Sequence, residues 1–327
     1  MTYRERFINT INRKPTDRVP FSFWFHFIEN EDTVDAMKNI EIMDKVYEGQ
    51  KRYIETVKPD FVKVMCDGLF RYPAKALENF ETVDDLNDIP AISMDNPWIR
   101  AHVAHALRVS KIREDTVYIY NVFSPSMLLR IMEGEEKFLA AFKANPEKLS
   151  EAVKCIGEGI GNLVRALMQE GGMDGIYYCV QNQNIDIISD EDHEKYFGET
   201  DRKVLDIANE INDCNILHIC GYDGKRNHLE KWIDYPSKMV NWAVHVEGVS
   251  IEMGRKLFGD RTIVAGFQNT KQGILYSGSE EEIRSYTREI VQQAGKSGLI
   301  VAADCSLPFD IDWQHLIWVR EELEALS

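Results

Sequence analysis

Eight short apolar runs, rich in β-branched and aromatic residues, recur along the chain with helix-like segments between them. They are Val19 to Phe25, Phe61 to Met65, Val117 to Val122, Gly175 to Val180, Asn215 to Cys220, Ala243 to Glu247, Thr262 to Phe267, and Leu299 to Cys305. Strands that alternate with helices pair in parallel through right-handed crossovers. Eight of them predict an α/β fold, a (β/α)8 TIM barrel, spanning residues 1–327 as a single domain.

The intervening segments carry their own start and stop signals. Pro146 opens a stretch in which Leu149, Val153, Ile156, Ile160, Leu163, Val164 and Leu167 follow a 3.6-residue period up to Gly171-Gly172. Ser279-Glu280-Glu281-Glu282 has a capping-box pattern with an acidic first turn, and predicts a helix through Ala294 that stops at Gly295. The connection from Cys66 to Thr116 is long and holds Tyr72-Pro73, Ile89-Pro90 and Asn96-Pro97. It reads as an irregular insertion followed by a helix over Trp98 to Ile112.

Bulk properties narrow the function classes. A formal charge of −16 argues against a nucleic-acid partner, whose phosphates call for a basic surface. The polar start Met1-Thr2-Tyr3-Arg4-Glu5-Arg6-Phe7 and the lack of a long apolar stretch predict a cytoplasmic protein with no membrane span. In that compartment Cys66, Cys155, Cys179, Cys214, Cys220 and Cys305 are expected as thiols or metal ligands. A small molecule or another protein remains as partner.

The chemistry gathers at predicted strand ends, which meet at one mouth of such a barrel. His218 and Cys220 share one face of the fifth run, and Cys305 closes the eighth. One imidazole and two thiols are a three-ligand zinc set with the fourth position free for chemistry. Read in isolation, the same residues are also compatible with buried core thiols and a hydrogen-bonded histidine. The mouth rule further nominates His26, Asp67, Gln181, Gln183, His245, Glu247, Gln268 and Asn269, residues that also serve as ordinary strand and turn caps. Gly221-Tyr222-Asp223-Gly224 lacks the spacing of a phosphate loop, and Tyr177-Tyr178 and the Phe21 to Phe27 aromatics read as packing.

Several motifs resemble the uroporphyrinogen decarboxylase superfamily. They are Asn12-Arg13-Lys14-Pro15-Thr16-Asp17-Arg18-Val19-Pro20, Ser124-Pro125, Gly172-Met173-Asp174-Gly175-Ile176 and His218-Ile219-Cys220-Gly221. The resemblance spans the chain and implies the same barrel. Decarboxylases of this superfamily grip their porphyrinogen with an Arg-Gln-Ala-Gly-Arg stretch, whereas Trp24-Phe25-His26-Phe27-Ile28-Glu29-Asn30 here has no arginine. Asp67 matches their essential aspartate.

The other branch, zinc-dependent methyltransferases that work with a corrinoid protein and a thiol such as coenzyme M, is the closer resemblance. Its His-X-Cys pair and distant cysteine match His218, Cys220 and Cys305, although Ala303-Asp304 replaces the usual Pro-Gly before the last ligand. The resemblance implies zinc, methylcobalamin presented by a separate corrinoid protein, and a small-molecule acceptor. Asp67 is then the candidate catalytic residue, with His26, Gln181, His245, Glu247 and Gln268 as candidate substrate-binding residues. The alternatives are a decarboxylase of a tetrapyrrole or other acidic substrate, and a non-catalytic corrinoid- or tetrapyrrole-binding protein.

Overall fold

A computed structural model describes every residue except Asn30 and Asp32, and for Asp223 the backbone alone. Asn30, which ends the arginine-free stretch, therefore lies outside the described residues. Seven strands form among those described: β1 (Phe61–Val64), β2 (Val117–Phe123), β3 (Gly175–Val180), β4 (Ile216–Ile219), β5 (Met239–Trp242), β6 (Thr262–Phe267) and β7 (Leu299–Ala303). They lie in one sheet in sequence order, every pair parallel. All but Phe123 of their residues are buried, as expected of a parallel sheet covered on both faces.

The two faces of the strands bury different partners. Val62, Val64, Tyr178, Leu217, Val240 and Val301 face a core shared with the helices, including the Leu149, Val153 and Leu163 stripe of the helix Pro146–Gln169. Phe61, Met65, Tyr177, Ile216, Met239 and Ile300 face one another on the opposite side, with few helix residues among them. A sheet whose strands fill their own inner face has to curl around it.

Helix ends follow the local chemistry read from sequence. The Asn145 side chain accepts from Lys148 N, with Pro146 in the first turn. Ser279 and Glu282 make the reciprocal capping box of the helix Glu280–Ala294, which ends at Gly295 in a positive-φ conformation. Helix Pro97–Ser110 fills most of the Trp98 to Ile112 segment. No helix among the described residues is long and apolar enough to cross a membrane.

Two expected strands are corrected. Val19 to Phe25 forms no strand but two isolated parallel bridges, Phe21 to Val301 and Phe25 to Leu307. Its donors on the β1 side are taken by side chains, Phe21 N by the Asp60 carboxylate and Phe23 N by the Tyr53 hydroxyl, so no continuous ladder can run there. On the other side Ser22 N donates to Val301 O and Val301 N to Pro20 O. The segment is thus held between β7 and β1 without being a strand. Ala243 to Glu247 is also no strand: β5 lies upstream at Met239–Trp242, and Val244–Glu247 turns into a short helix closed by Gly248 at φ 67°.

A buried charge cluster fixes that N-terminal segment. Asp60, fully buried, accepts from Arg6 Nη1 at 2.7 Å, Arg18 Nη1 at 2.6 Å and Arg18 Nη2 at 3.0 Å. Asp17 in turn takes Arg6 Nε and Nη2, both at 2.7 Å. The Asp17-Arg18 pair of the opening motif is therefore structural.

Candidate metal centre

His218 and Cys220 lie on the inner face at the end of β4, two residues apart, and Cys305 follows the end of β7 by two residues. Their ligand atoms all come within 4.8 Å of one another. Cys220 Sγ is 4.0 Å from Cys305 Sγ, and Cys305 Sγ is 3.5 Å from His218 Nε2. Tetrahedral zinc with ordinary bond lengths places two sulfurs about 3.8 Å apart, and a sulfur and an imidazole nitrogen about 3.6 Å apart. The donor set fits a zinc ion in chemistry, and the two distances to Cys305 Sγ fit it in spacing.

The imidazole is held in the orientation such a site needs. His218 Nδ1 lies 2.5 Å from Asn241 Oδ1, which also accepts from the Tyr177 hydroxyl at 2.6 Å. Asn241 Nδ2 donates to Val264 O at 2.6 Å and Ala303 O at 3.2 Å, so its amide orientation is fixed by the network. An acceptor opposite Nδ1 puts the imidazole proton there. Nε2 is left with its lone pair toward the sulfurs.

The two thiols share a proton unequally. The Cys220 thiol donating to Cys305, helped by the adjacent His218, holds Cys305 well below the usual thiol range. The same hydrogen bond, together with burial, pushes Cys220 well above it.

The triad opens onto a cavity of ≈ 530 Å³, a size suited to a small organic molecule. His26 and Gln181 line it, and the Gln181 side-chain Oε1 and Nε2 have no partners among the described residues. Asp67 is fully buried behind His26 and does not line it. Its Oδ1 is 2.9 Å from His26 Nδ1, and its Oδ2 accepts from Phe27 N at 2.7 Å. Glu31 Oε1 stands 3.3 Å from His26 Nε2. Burial alone would lower the His26 pKa, but the Asp67 hydrogen bond and the Asp67 and Glu31 charges outweigh it and hold the imidazole above its ordinary value.

His245, Glu247 and Gln268 are not brought to the cavity. Glu247 accepts from the backbone and side chain of Asn227, whose Nδ2 donates to Cys220 O at 3.0 Å. Gln183 Nε2 donates to the same Cys220 carbonyl at 2.9 Å and to Tyr222 O. Both residues thus brace the loop that carries Cys220. His245 Nδ1 is 2.8 Å from Asp304 Oδ2, against the residue preceding Cys305. Gln268 is half-buried just after β6, and its neighbour Asn269 reaches the cavity, donating to Ser306 O.

The sequence reasoning did not single out Asn241, Lys63, Asn121 or Arg130. Lys63 and Asn121 sit inside β1 and β2, and a strand's polar interior residue in a run of apolar ones was the signal available for them. Arg130 lies on the helix Pro125–Glu133 and pairs with Glu135 at 3.1 Å. No pattern in the chain distinguishes it from a surface arginine.

The sequence matches the family profile of uroporphyrinogen decarboxylase (URO-D) over residues 2–325. The chain belongs to the uroporphyrinogen decarboxylase family. Among solved structures, a methyltransferase from Methanosarcina mazei is similar with a TM-score of 0.72 at 14% identity, covering 100% of this chain and 99% of its own. A B12-independent methionine synthase from Shewanella sp. W3-18-1, solved in complex with selenomethionine, has a TM-score of 0.60 at 12% identity over 94% of this chain and 95% of its own. At such identities the likeness is one of fold. No curated protein matches the sequence.

Proposed function

We propose that this member of the family is a zinc-dependent methyltransferase that moves a methyl group between the methylcobalamin of a separate corrinoid protein and a thiol or similar small acceptor. The observation that carries the reading is the His218, Cys220 and Cys305 triad at a cavity wall, which no fourth histidine, cysteine or carboxylate joins among the described residues. Zinc held by these residues would keep an acceptor thiol as thiolate at neutral pH in its open position. Asn241 fixes the His218 tautomer, and Asn227 and Gln183 hold the Cys220 loop. His26 lines the same cavity, its imidazole held between Asp67 and Glu31. The same reading takes the seven strands and the bridging Val19 to Phe25 segment as one closed barrel, a single domain with the segment standing where an eighth strand would.

Decarboxylation of a tetrapyrrole receives less support. Asp67 is occupied by His26 and Phe27 rather than facing the cavity, and of the two cations lining it, Arg130 is already paired with Glu135. Several porphyrinogen carboxylates would need more. One structural neighbour is named B12-independent, so the methyl donor is the part the assay must decide. Mixing zinc-loaded and metal-free protein with methylcobalamin and candidate thiols should give metal-dependent demethylation in the cobalamin spectrum. Equal spectra from the two forms would remove the proposed role.

A further inference from the structure

Beside the Gln181 wall of the cavity lies a second, smaller chamber of ≈ 20 Å³, lined by Ser126, Gln183, His193 and Phe197, with Met127 and Gln181 shared between the two. Its polar groups lack partners. Both ring nitrogens of His193, both side-chain heteroatoms of Gln181, Gln183 Oε1 and Asp201 Oδ1 are buried with no hydrogen bond among the described residues. His193 is 3% exposed, and Asp201 is fully buried. Buried polar groups are nearly always paired, so this many orphans around one void point to an occupant. The volume admits a water molecule and little more.

The backbone brings the two titratable groups together. His193 ends the helix Asp190–His193, Asp201 lies eight residues on in the helix Glu199–Ile211, and a π-helical turn, Glu194–Gly198, joins them. A regular α-helix sets residues eight apart about 80° off one face, and the wider π turn removes much of that offset. His193 Nε2 lies 3.9 Å from Asp201 Oδ2, too long for a direct hydrogen bond and within the span of a bridging water. Ser126 Oγ donates to the same Oδ2 at 3.4 Å. The Phe197 and Trp232 rings meet His193 edge-on at 5.6 and 5.4 Å and fix its plane.

No cation neutralises this carboxyl. Lys231 and Arg202 are the nearby cations, and both turn to Glu194, with Lys231 Nζ at 3.8 Å from it. Neither comes within ion-pair distance of Asp201 among the described residues. The other groups that face Asp201 are neutral: Ser124 and Ser126, Tyr235, and the Tyr178 hydroxyl, which donates to Asp201 O at 2.9 Å. Burial therefore outweighs the pull of Lys231 and lifts the Asp201 carboxyl to about 7, and burial also holds His193 well below its ordinary value.

We propose that this chamber is a buried proton-binding site, in which Asp201 and His193 share one proton through a bound water, and that its proton locks the helical stretch 190–211 against the Gln181 wall of the cavity. The protonated carboxyl donates to the water, and the water donates to the neutral imidazole. Ionisation sends the proton to solvent and leaves a buried carboxylate with no cation in contact. The site is separate from the metal centre and stands whether or not the methyl-transfer reading does.

The test uses the zinc-loaded full chain as wild type and as Asp201→Asn, which is isosteric with the protonated acid. Infrared difference spectra across the neutral range should show a protonated carboxyl that is lost with a midpoint near 7 and is absent from Asp201→Asn. A raised folded value makes the stability contribution complete below the unfolded value of about 3.9 and lost as pH rises through the folded one. Between about pH 5.5 and 8 the unfolding constant of the wild type in urea should therefore rise about 30-fold more than that of Asp201→Asn. The His193 nitrogen resonances, identified by their loss in His193→Gln, should stay in the neutral range, move with the infrared midpoint, and show cross-relaxation from the ring to a long-lived water. An Asp201 that is ionised throughout, a pH dependence of stability that Asp201→Asn shares, or a His193 that becomes charged in this range would overturn the proposal. Should Asp201→Asn not fold, the wild-type His193 resonances decide, and signals that do not move across the range overturn the site.

Discussion

Replacing Asn241 separates the support of the metal site from the support of the fold. Asn241→Leu keeps the volume but removes four polar contacts, two accepted by Oδ1 from His218 Nδ1 and the Tyr177 hydroxyl, and two donated by Nδ2 to Val264 O and Ala303 O. The two orphaned donors are fully inside the protein, and each costs about 1–3 kcal/mol, so the metal-free protein should lose roughly 2–6 kcal/mol of stability. The imidazole also loses the acceptor that fixes its tautomer, and zinc affinity should fall by about 10- to 100-fold. Asn241→Asp keeps an acceptor for both donors while losing the two contacts to carbonyls. It should therefore destabilise the chain yet hold zinc within about threefold of the wild type. Urea unfolding of the metal-free proteins and zinc titration against a chromophoric chelator measure the two effects apart. Wild-type zinc affinity in Asn241→Leu, or equal losses in the two variants, would refute the assignment of Nε2 as the ligand atom.

The remaining expectations concern the N-terminal clamp and the cavity histidine. Asp60→Asn leaves Arg18 buried against a neutral group, with Arg6 kept by Asp17 alone, and should cost about 3–5 kcal/mol in chemical denaturation, with a loss below about 1 kcal/mol showing that the segment is held by packing instead. His26 should titrate above the free-histidine value of about 6.5 in histidine-selective NMR, because the Asp67 hydrogen bond and the nearby carboxylates outweigh burial. A raised folded value means that its stability contribution is complete below the unfolded value and is lost as pH rises through the folded one. Melting curves across that window should show the loss in the wild type and not in Asp67→Asn, and a His26 midpoint at or below the free value would contradict the dyad.

Most of the sheet was legible because fully buried parallel strands are short apolar runs, and six of the eight runs contain a strand. The two exceptions have identifiable causes. Val19 to Phe25 has the composition of a strand, but its donors are captured by Asp60 and Tyr53, side chains 30 or more residues away that no local pattern links to it. In Met239–Trp242 the polar Asn241 interrupts the apolar run, which shifted the expected strand onto the apolar-looking Ala243 to Glu247. That interruption was itself the functional signal, since Asn241 orients His218.

The candidate ligands His218, Cys220 and Cys305 were readable from strand-end placement, and the structure brings them together. His26 and Gln181 reach the same cavity, while Asp67 stands behind His26. His245 and Glu247 brace the ligand-bearing loops instead of meeting substrate, a distinction that depends on the loop path after β5. Lys63 was hidden by its setting, because one lysine in an apolar strand reads as an outward-facing residue until the curl of the sheet turns it inward.

X-ray absorption at the zinc edge tests the central claim most directly. The zinc-loaded protein should show two sulfur neighbours near 2.3 Å and two lighter ones near 2.0 Å. Adding an accepted thiol should raise the sulfur count to three, and Cys305→Ser should lower it by one. A protein that takes up no zinc while folded, or a coordination sphere that stays the same in all three samples, would contradict the account.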